Sequence, residues 1–414
     1  MRMVSEERLA TILSAQPGVP RVVAGGNFAT PWRALAALDS AVAEYRLFML
    51  NAQSGLPDRE GVTLETPFVG PGMRGHSRLR YYPCRLSLVP VLLSGALPPD
   101  IVLFRTSQPA DGTVSLGTEV NILPAAIEAV RARGGLVIAE VNPGVPYTYG
   151  DAVLPVSDID YAIEADTPLS SPAARPVTEV SAAIGQRVAA LVPEAATLQL
   201  GIGGVPDAVL AALRDRRGLR VWSEMFSDGV LTLAKAGALD AAQQITASFA
   251  FGSTELYDWM DRNPGIRMVR TETANDPGRI ARQPRMTSIN SALEVDLFAQ
   301  ANAARVRGMI YSGFGGQTDF IVGALHSPAG RAIIALPSWH PKADVSTVVP
   351  RLAGPVTSFQ HSFIVSEQGT ATIWGSDANT QAGEIIDRVA HPSARDELRQ
   401  AARGLGFRLD GPIS

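Results

Sequence analysis

Residues 200–229, LGIGGVPDAVLAALRDRRGLRVWSEMFSDG, constrain the fold more than any other part of this chain. The apolar run 197–200 breaks into Gly201, Gly203 and Gly204, and Pro206 and Asp207 then open an amphipathic stretch over 208–213. Strand, tight turn and helix are expected in that order, because a short apolar run cannot continue through three glycines while the 3.6-residue period that follows can. A second strand over 219–222 delivers Ser223, Glu224 and Met225, and Ser227, Asp228 and Gly229 are expected to turn the chain. Glu224 is thereby expected at the carboxyl end of a strand, the edge of an open α/β sheet where ligands bind. Backbone N–H groups of a glycine-rich turn at a helix start hold anions. The pattern therefore sets a carboxylate near oxyanion donors. The competing reading is a salt-bridge glutamate beside a structural turn, and local spacing does not separate the two.

The same alternation of short apolar strands and alanine-rich helices runs through the chain and predicts α/β architecture with mostly parallel sheets. Strands are expected over 21–24, 101–104, 136–141 and 163–165, and helices over 31–38, 125–133 and 177–192. With 414 residues the chain exceeds the usual size of one core, so two domains are expected. The Pro/Ser/Ala-rich passage 167–176 is the linker candidate. It divides the chain into an amino-terminal α/β domain, 1–176, and a carboxy-terminal one, 177–414, that carries Glu224. Paired glycines end a strand before a helix in both halves, at Gly25 and Gly26 and again at Gly203 and Gly204. That shared theme points to two related domains.

Composition excludes several classes. Hydrophobic residues at 46% and charged ones at 18% describe a globular chain with a large core rather than a disordered one. A net charge of −4 with scattered arginines lacks the basic stripe of a nucleic-acid binder. The single cysteine, Cys84, allows neither an intrachain disulfide nor a cysteine metal cluster, and the five histidines show no metal-ligand spacing. Apolar runs are too short to span a bilayer and residues 1–13 have no apolar signal core, so a cytoplasmic protein without a membrane partner is expected. Lysine occurs only at Lys235 and Lys342. A further glycine-rich turn, YSGFGGQTDF over 311–320, follows Met309 and Ile310 and offers a second set of N–H donors. Oxyanion holes draw on two separate segments.

Beyond these local readings, ordered motifs span nearly the whole chain: FVGPGMRG (68–75), SLGTEV (115–120), VSDIDYAIEADTPL (156–169), SEMFSDG (223–229), Asn275-Asp276-Pro277, SINSALEVDL (288–297), SGFGGQTDF (312–320), IIALPS (333–338), VPRL (349–352) and IVSEQG (364–369). In these the chain resembles the acetyl-CoA hydrolase/transferase family, within it the 4-hydroxybutyrate CoA-transferase type. The resemblance implies a class I CoA-transferase of two similar open α/β domains with the active site between them. It implies Glu224 as the nucleophile and the backbone N–H groups of Ile202 and Gly316 as oxyanion donors. Coenzyme A contacts are implied over Gly201, Ile202, Gly203, Gly204 and Val205, with the backbone near Leu293, Gly316 and Lys342 beside them. Acyl-CoA and a carboxylic acid acceptor are the implied substrates, with no prosthetic group and no metal. A homodimer or higher homo-oligomer is the usual state of soluble enzymes of this size.

Other residues carry weaker expectations. Lys342 suits a pyrophosphate on charge grounds, although exposed lysines are commonly only solvated. Glu294 and Asp296 are read as structural or binding residues on one side of a strand. His340 and His361 lie in or near the motifs and are the histidines that could approach coenzyme A. The family pattern has Leu-Arg where Ile373 and Trp374 stand, and an arginine where Val322 stands. Those departures remove positive charge and point to a bulkier or more apolar acyl group than a small hydroxy acid.

Overall fold

The computed structural model describes residues 1–171, 176–201, 203–354, 356 and 360–409. The chain forms two compact units that it visits alternately. The first comprises Met1–Ala173, Gln244–Asn275 and Ile310–Gly315; the second comprises Ala174–Gln243, Asp276–Met309 and Gly316–Ser414. Segments 244–275 and 310–315 pack with the first unit although they follow residue 176 in the chain.

The first unit is built on eight parallel strands in the order Arg2–Met3, Tyr161–Glu164, Leu136–Val141, Ile101–Thr106, Arg21–Ala24, Tyr45–Phe48, Val62–Thr66 and Leu79–Tyr81. Arg21–Ala24 and Ile101–Thr106 are buried at every position, which explains why their apolar residues, 22–24 and 101–104, run consecutively rather than alternate with polar ones. Two ion pairs are buried inside this core. Arg21 Nε donates to Glu65 at 2.7 Å and Arg105 Nε to Glu140 at 2.8 Å. The second Glu140 oxygen accepts the N–H groups of Arg33 and Ala34 and so caps the helix Trp32–Ala41, whose own Pro31 provides no cap.

In the second unit the order is Arg220–Val221, Thr197–Leu200, Met286–Ser291, Arg331–Ala335 and Phe363–Val365, all parallel, with Thr370–Thr372 antiparallel at the edge. The strand direction of travel reverses between Thr197–Leu200 and Met286–Ser291. That topological switch point is where ligands bind in open α/β sheets. The expected open, mostly parallel α/β fold is thus present in both units.

Two local expectations are corrected. The helix expected over 208–213 runs from Gly204 to Ala212, with Pro206 in its first turn, where a missing N–H costs nothing. Asp228 and Gly229 do not make a turn but begin the helix Asp228–Lys235, because Val230, Leu231 and Leu233 give that stretch a buried face.

Candidate active site

The second unit brings most of the residues singled out in the sequence to one carboxyl edge. Leu200 ends the strand beside the switch point; Gly203, at φ 120°, is the N-cap of the helix Gly204–Ala212. Among the described residues, a side chain added at Gly204 would meet nothing within 4 Å, and one at Gly201 only Pro206 Cγ at 3.8 Å. Packing against the described residues therefore does not require glycine at either position. Ile202 lies outside the described residues.

Glu224 follows the neighbouring strand Arg220–Val221 and is half-buried. Ser223, fully buried, anchors it: its Oγ donates to the Leu200 carbonyl and accepts from the Leu200 N–H, both at 3.2 Å. On the far side, a Cβ at Gly229 would lie 2.3 Å from Leu210 Cδ1, so the helix after Glu224 packs directly on the helix after the glycine turn. A third contact steadies that helix, since a Cβ at Gly185 would lie 2.7 Å from the Ala208 backbone. Glu224 and the glycine turn are therefore held in register from both sides.

Across the switch point, Gln199 and Asn290 exchange amide hydrogen bonds at 3.3 and 3.1 Å in a buried setting. Leu293 follows that strand, and its N–H donates to the Asn302 carbonyl at 2.8 Å. Gly316 is the buried N-cap of the helix Gln317–His326. That helix packs on Met286–Ser291 and Arg331–Ala335. Because it feeds a parallel strand, its N-terminus lies at the carboxyl edge. No described residue accepts a hydrogen bond from the Gly316 N–H.

Other residues separate from this group. Lys342 sits in the exposed turn of a small hairpin between Trp339–His340 and Val345–Ser346, and no described contact ties it to Glu224 or to the glycine turn. His340, on the same hairpin, is exposed and accepts from the Ala343 N–H at 3.0 Å. His361 is fully buried, and burial pushes its imidazole down to about 3, so it stays neutral across ordinary pH. Asp296 accepts from the N–H groups of Phe298, Gln300 and Leu352, and Glu294 from Asn302, which gives both carboxylates structural work. Ile373 enters the core of the second unit, while Trp374 is 60% exposed and Val322 half-buried on its helix.

One carboxylate at the same edge is quoted in the sequence motifs without a role. Glu367, two residues beyond the strand Phe363–Val365, accepts from the Ser338 N–H at 2.9 Å and from the Ser338 hydroxyl. Its partner comes from a distant segment, so spacing could not reveal the pair.

Fold and edge together define an α/β protein with a clamped glutamate, a glycine turn and an N–H-bearing helix start at one sheet edge. Comparison with known proteins gives this class its family. The model of the acetyl-CoA hydrolase/transferase N-terminal domain matches residues 66–170, and that of the C-terminal domain matches 252–402. The chain is 38% identical over 333 residues to the 4-hydroxybutyrate coenzyme A transferase of Clostridium kluyveri, covering 78% of this chain and 76% of that one. It is 35% identical over 380 residues to a succinyl-CoA:acetate/propanoyl-CoA:succinate CoA transferase of Fasciola hepatica, covering 87% and 78%. The crystal structure of a 4-hydroxybutyrate CoA-transferase from Porphyromonas gingivalis superposes with a TM-score of 0.80 at 32% identity over 98% of both chains. Acetyl-CoA hydrolases also match, the one from Kluyveromyces lactis at 32% identity over 206 residues, 47% of this chain and 38% of its own. The chain belongs to the acetyl-CoA hydrolase/transferase family, and it is an enzyme of the CoA-transferase kind.

Proposed function

We propose that the enzyme transfers coenzyme A between an acyl-CoA and a carboxylic acid, with Glu224 as covalent nucleophile. The observation that carries this reading is the clamping of Glu224, through Ser223 and Leu200, beside a glycine turn. A carboxylate attacks a thioester poorly in water, but fixed geometry and donors aimed at the developing oxyanion make the step feasible.

In the proposed sequence a Glu224 oxygen attacks the thioester carbonyl, the C–S bond breaks, and coenzyme A leaves as thiolate from an acyl-glutamyl anhydride. The thiolate then attacks the glutamyl carbonyl. The first carboxylate departs and Glu224 carries a thioester to coenzyme A. An acceptor carboxylate reverses both steps, so no proton is consumed. The N–H of Gly316 would face the oxyanion, and Ile202 would supply the second donor. Gly201, Gly203, Gly204 and Val205, with the backbone near Leu293, would line the path of coenzyme A; Lys342 would meet its phosphates. Short- to medium-chain acyl groups are the proposed range, in a cytoplasmic homo-oligomer.

Hydrolysis on the same site is the second reading, because relatives named acetyl-CoA hydrolase match this chain. Water would then replace the acceptor.

The test is the intact mass of wild type and Glu224→Gln after exposure to butyryl-CoA and borohydride, which reduces a glutamyl thioester to an alcohol. A loss of about 14 Da in wild type alone, mapped to Glu224, is expected for the covalent route. No loss with butyryl-CoA or a panel of other acyl-CoAs overturns the nucleophile assignment. A new acyl-CoA as product marks transfer, and free thiol without one marks hydrolysis.

A further inference from the structure

The first unit buries a carboxylate at its own switch point, between Arg21–Ala24 and Ile101–Thr106. Glu119, from SLGTEV, is 3% exposed. Asn27 Nδ2 donates to both of its oxygens at 2.9 and 2.8 Å, Asn121 Nδ2 donates at 2.7 Å, and the Gly26 N–H adds a further bond. From the remaining neighbour, Phe249 pairs with its backbone. Every group that faces it is neutral, and among the described residues no charged side chain contributes to its titration. Burial pushes its carboxyl up to about 7.

The amides lead onward. Asn51 Nδ2 donates to Asn27 Oδ1 at 2.9 Å, and the Asn51 N–H donates to the Phe68 carbonyl at 2.9 Å. Phe68 and Pro67 lie directly under the turn 312–315. A Cβ on Gly313 would fall 2.3 Å from the Pro67 carbonyl, one on Gly315 would fall 2.9 Å from the Phe68 ring, and Val69 N–H donates to the Ser312 carbonyl at 3.1 Å. The Gly315 carbonyl accepts from the Leu86 N–H at 3.0 Å. A peptide unit is planar and trans, so fixing the Gly315 carbonyl also fixes the direction of the Gly316 N–H.

Resting on the reading of Gly316 as an oxyanion donor, we infer that Glu119 is a positioning residue whose carboxylate, through Asn27, Asn51 and Phe68, holds the Gly315–Gly316 peptide in its donating orientation. The ionised form is the one that fits, because all its side-chain and backbone partners are donors. A protonated Glu119 must donate to one of them. Turning the Asn27 amide to accept sets its Nδ2 against that of Asn51 and breaks their bond; turning Asn121 breaks its bond from the Ile122 N–H. The network therefore has two discrete arrangements, which is the physical requirement for transmitting a local change.

The test follows kcat and the acyl-CoA KM of wild type, Glu119→Gln and Asn51→Ala across pH 5.5 to 8.5, about one and a half units either side of neutrality. In wild type kcat is expected to rise about tenfold through an inflection near 7 with KM unchanged, since misplacement of an oxyanion donor costs turnover rather than binding. Both variants are expected to lose that inflection and to remain at the low value. Hydrogen exchange of the 310–316 peptide provides a readout without turnover: it should be faster in Glu119→Gln than in wild type at pH 8 and equal at pH 5.5, about one and a half units below the inflection. Variants that keep the wild-type profile, or equal exchange at both pH values, overturn the inference. If wild type forms the Glu224 thioester and the variants still behave as wild type, the inference fails alone. If no thioester forms while exchange differs as expected, the catalytic reading fails and the positioning stands. Asn51→Ala carries the test should Glu119→Gln not fold.

Discussion

Burying Glu119 among neutral amides has a thermodynamic consequence that can be measured apart from activity. Its carboxyl stands at about 7 in the folded protein against 4.5 for the free group. A folded-state value above the unfolded one means that the native state binds more protons between those limits. The stability this group confers is therefore fully present below about pH 4.5 and is lost as the pH rises through 7. The separation of two and a half units, at about 1.4 kcal/mol per unit, corresponds to roughly 3 to 4 kcal/mol. For a unit of this size that is roughly 6 to 16 °C in unfolding temperature.

Glu119→Gln has no such titration. The difference in unfolding temperature between wild type and variant, scanned at matched rates from pH 4.5 upward, should shift against wild type by that amount once the pH passes 7. Other titrating groups cancel in the difference. A difference that stays flat within about 1 °C, well under the shift worked above, would show that Glu119 is not ionised at the expense of stability, and the donor-only account of its surroundings would be wrong.

Two packing predictions concern the frame rather than the charge. Gly185→Ala should destabilise the second unit by roughly 1 to 2 kcal/mol, because its methyl meets the Ala208 backbone at 2.7 Å and overpacking outweighs the gain in helix propensity. Gly404→Ala, at a helix position with open space, is the control and should be neutral or slightly stabilising; equal urea midpoints for the two would refute the contact. Glu140→Ala leaves the buried Arg105 guanidinium unpaired and the Arg33 and Ala34 N–H groups uncapped, so a loss of about 3 to 5 kcal/mol is expected in urea unfolding, and a loss under about 1 kcal/mol would contradict the buried-pair assignment.

Much of both units was legible in the sequence because the signals are local. The strands 136–141 and 197–200 have the expected bounds, and the glycine turn and Glu224 fall at a carboxyl edge because strand–turn–helix order dictates it. What was not legible depends on partners far apart in the chain. Glu119 needs Asn27, 92 residues away, before it can be seen as more than an acid in a turn. Glu140 caps a helix 107 residues upstream, and Ser338 finds Glu367 across 29. Segment 244–275 likewise joins the first unit through contacts such as Val120 N–H to the Ser248 carbonyl, which no composition shift announces.

The paired glycines that made the two halves look alike in fact do different work. At Gly26 a side chain would lie 1.9 Å from the Leu50 carbonyl, so glycine is needed there because another loop of the same unit fills the space. At Gly201 and Gly204 the equivalent space is open among the described residues. Both turns sit beside a switch point, the one place in an open parallel sheet where loops part and backbone donors converge. In the first unit the donors of that edge converge on the protein's own carboxylate, Glu119, and the crevice is closed from within. In the second, Glu224 is held beside the turn, and among the described residues only Pro206 comes within 4 Å of a Cβ at Gly201 or Gly204. One topology thus yields an internal support in one unit and a less crowded turn in the other, and the discriminating feature is what a Cβ at each glycine would strike.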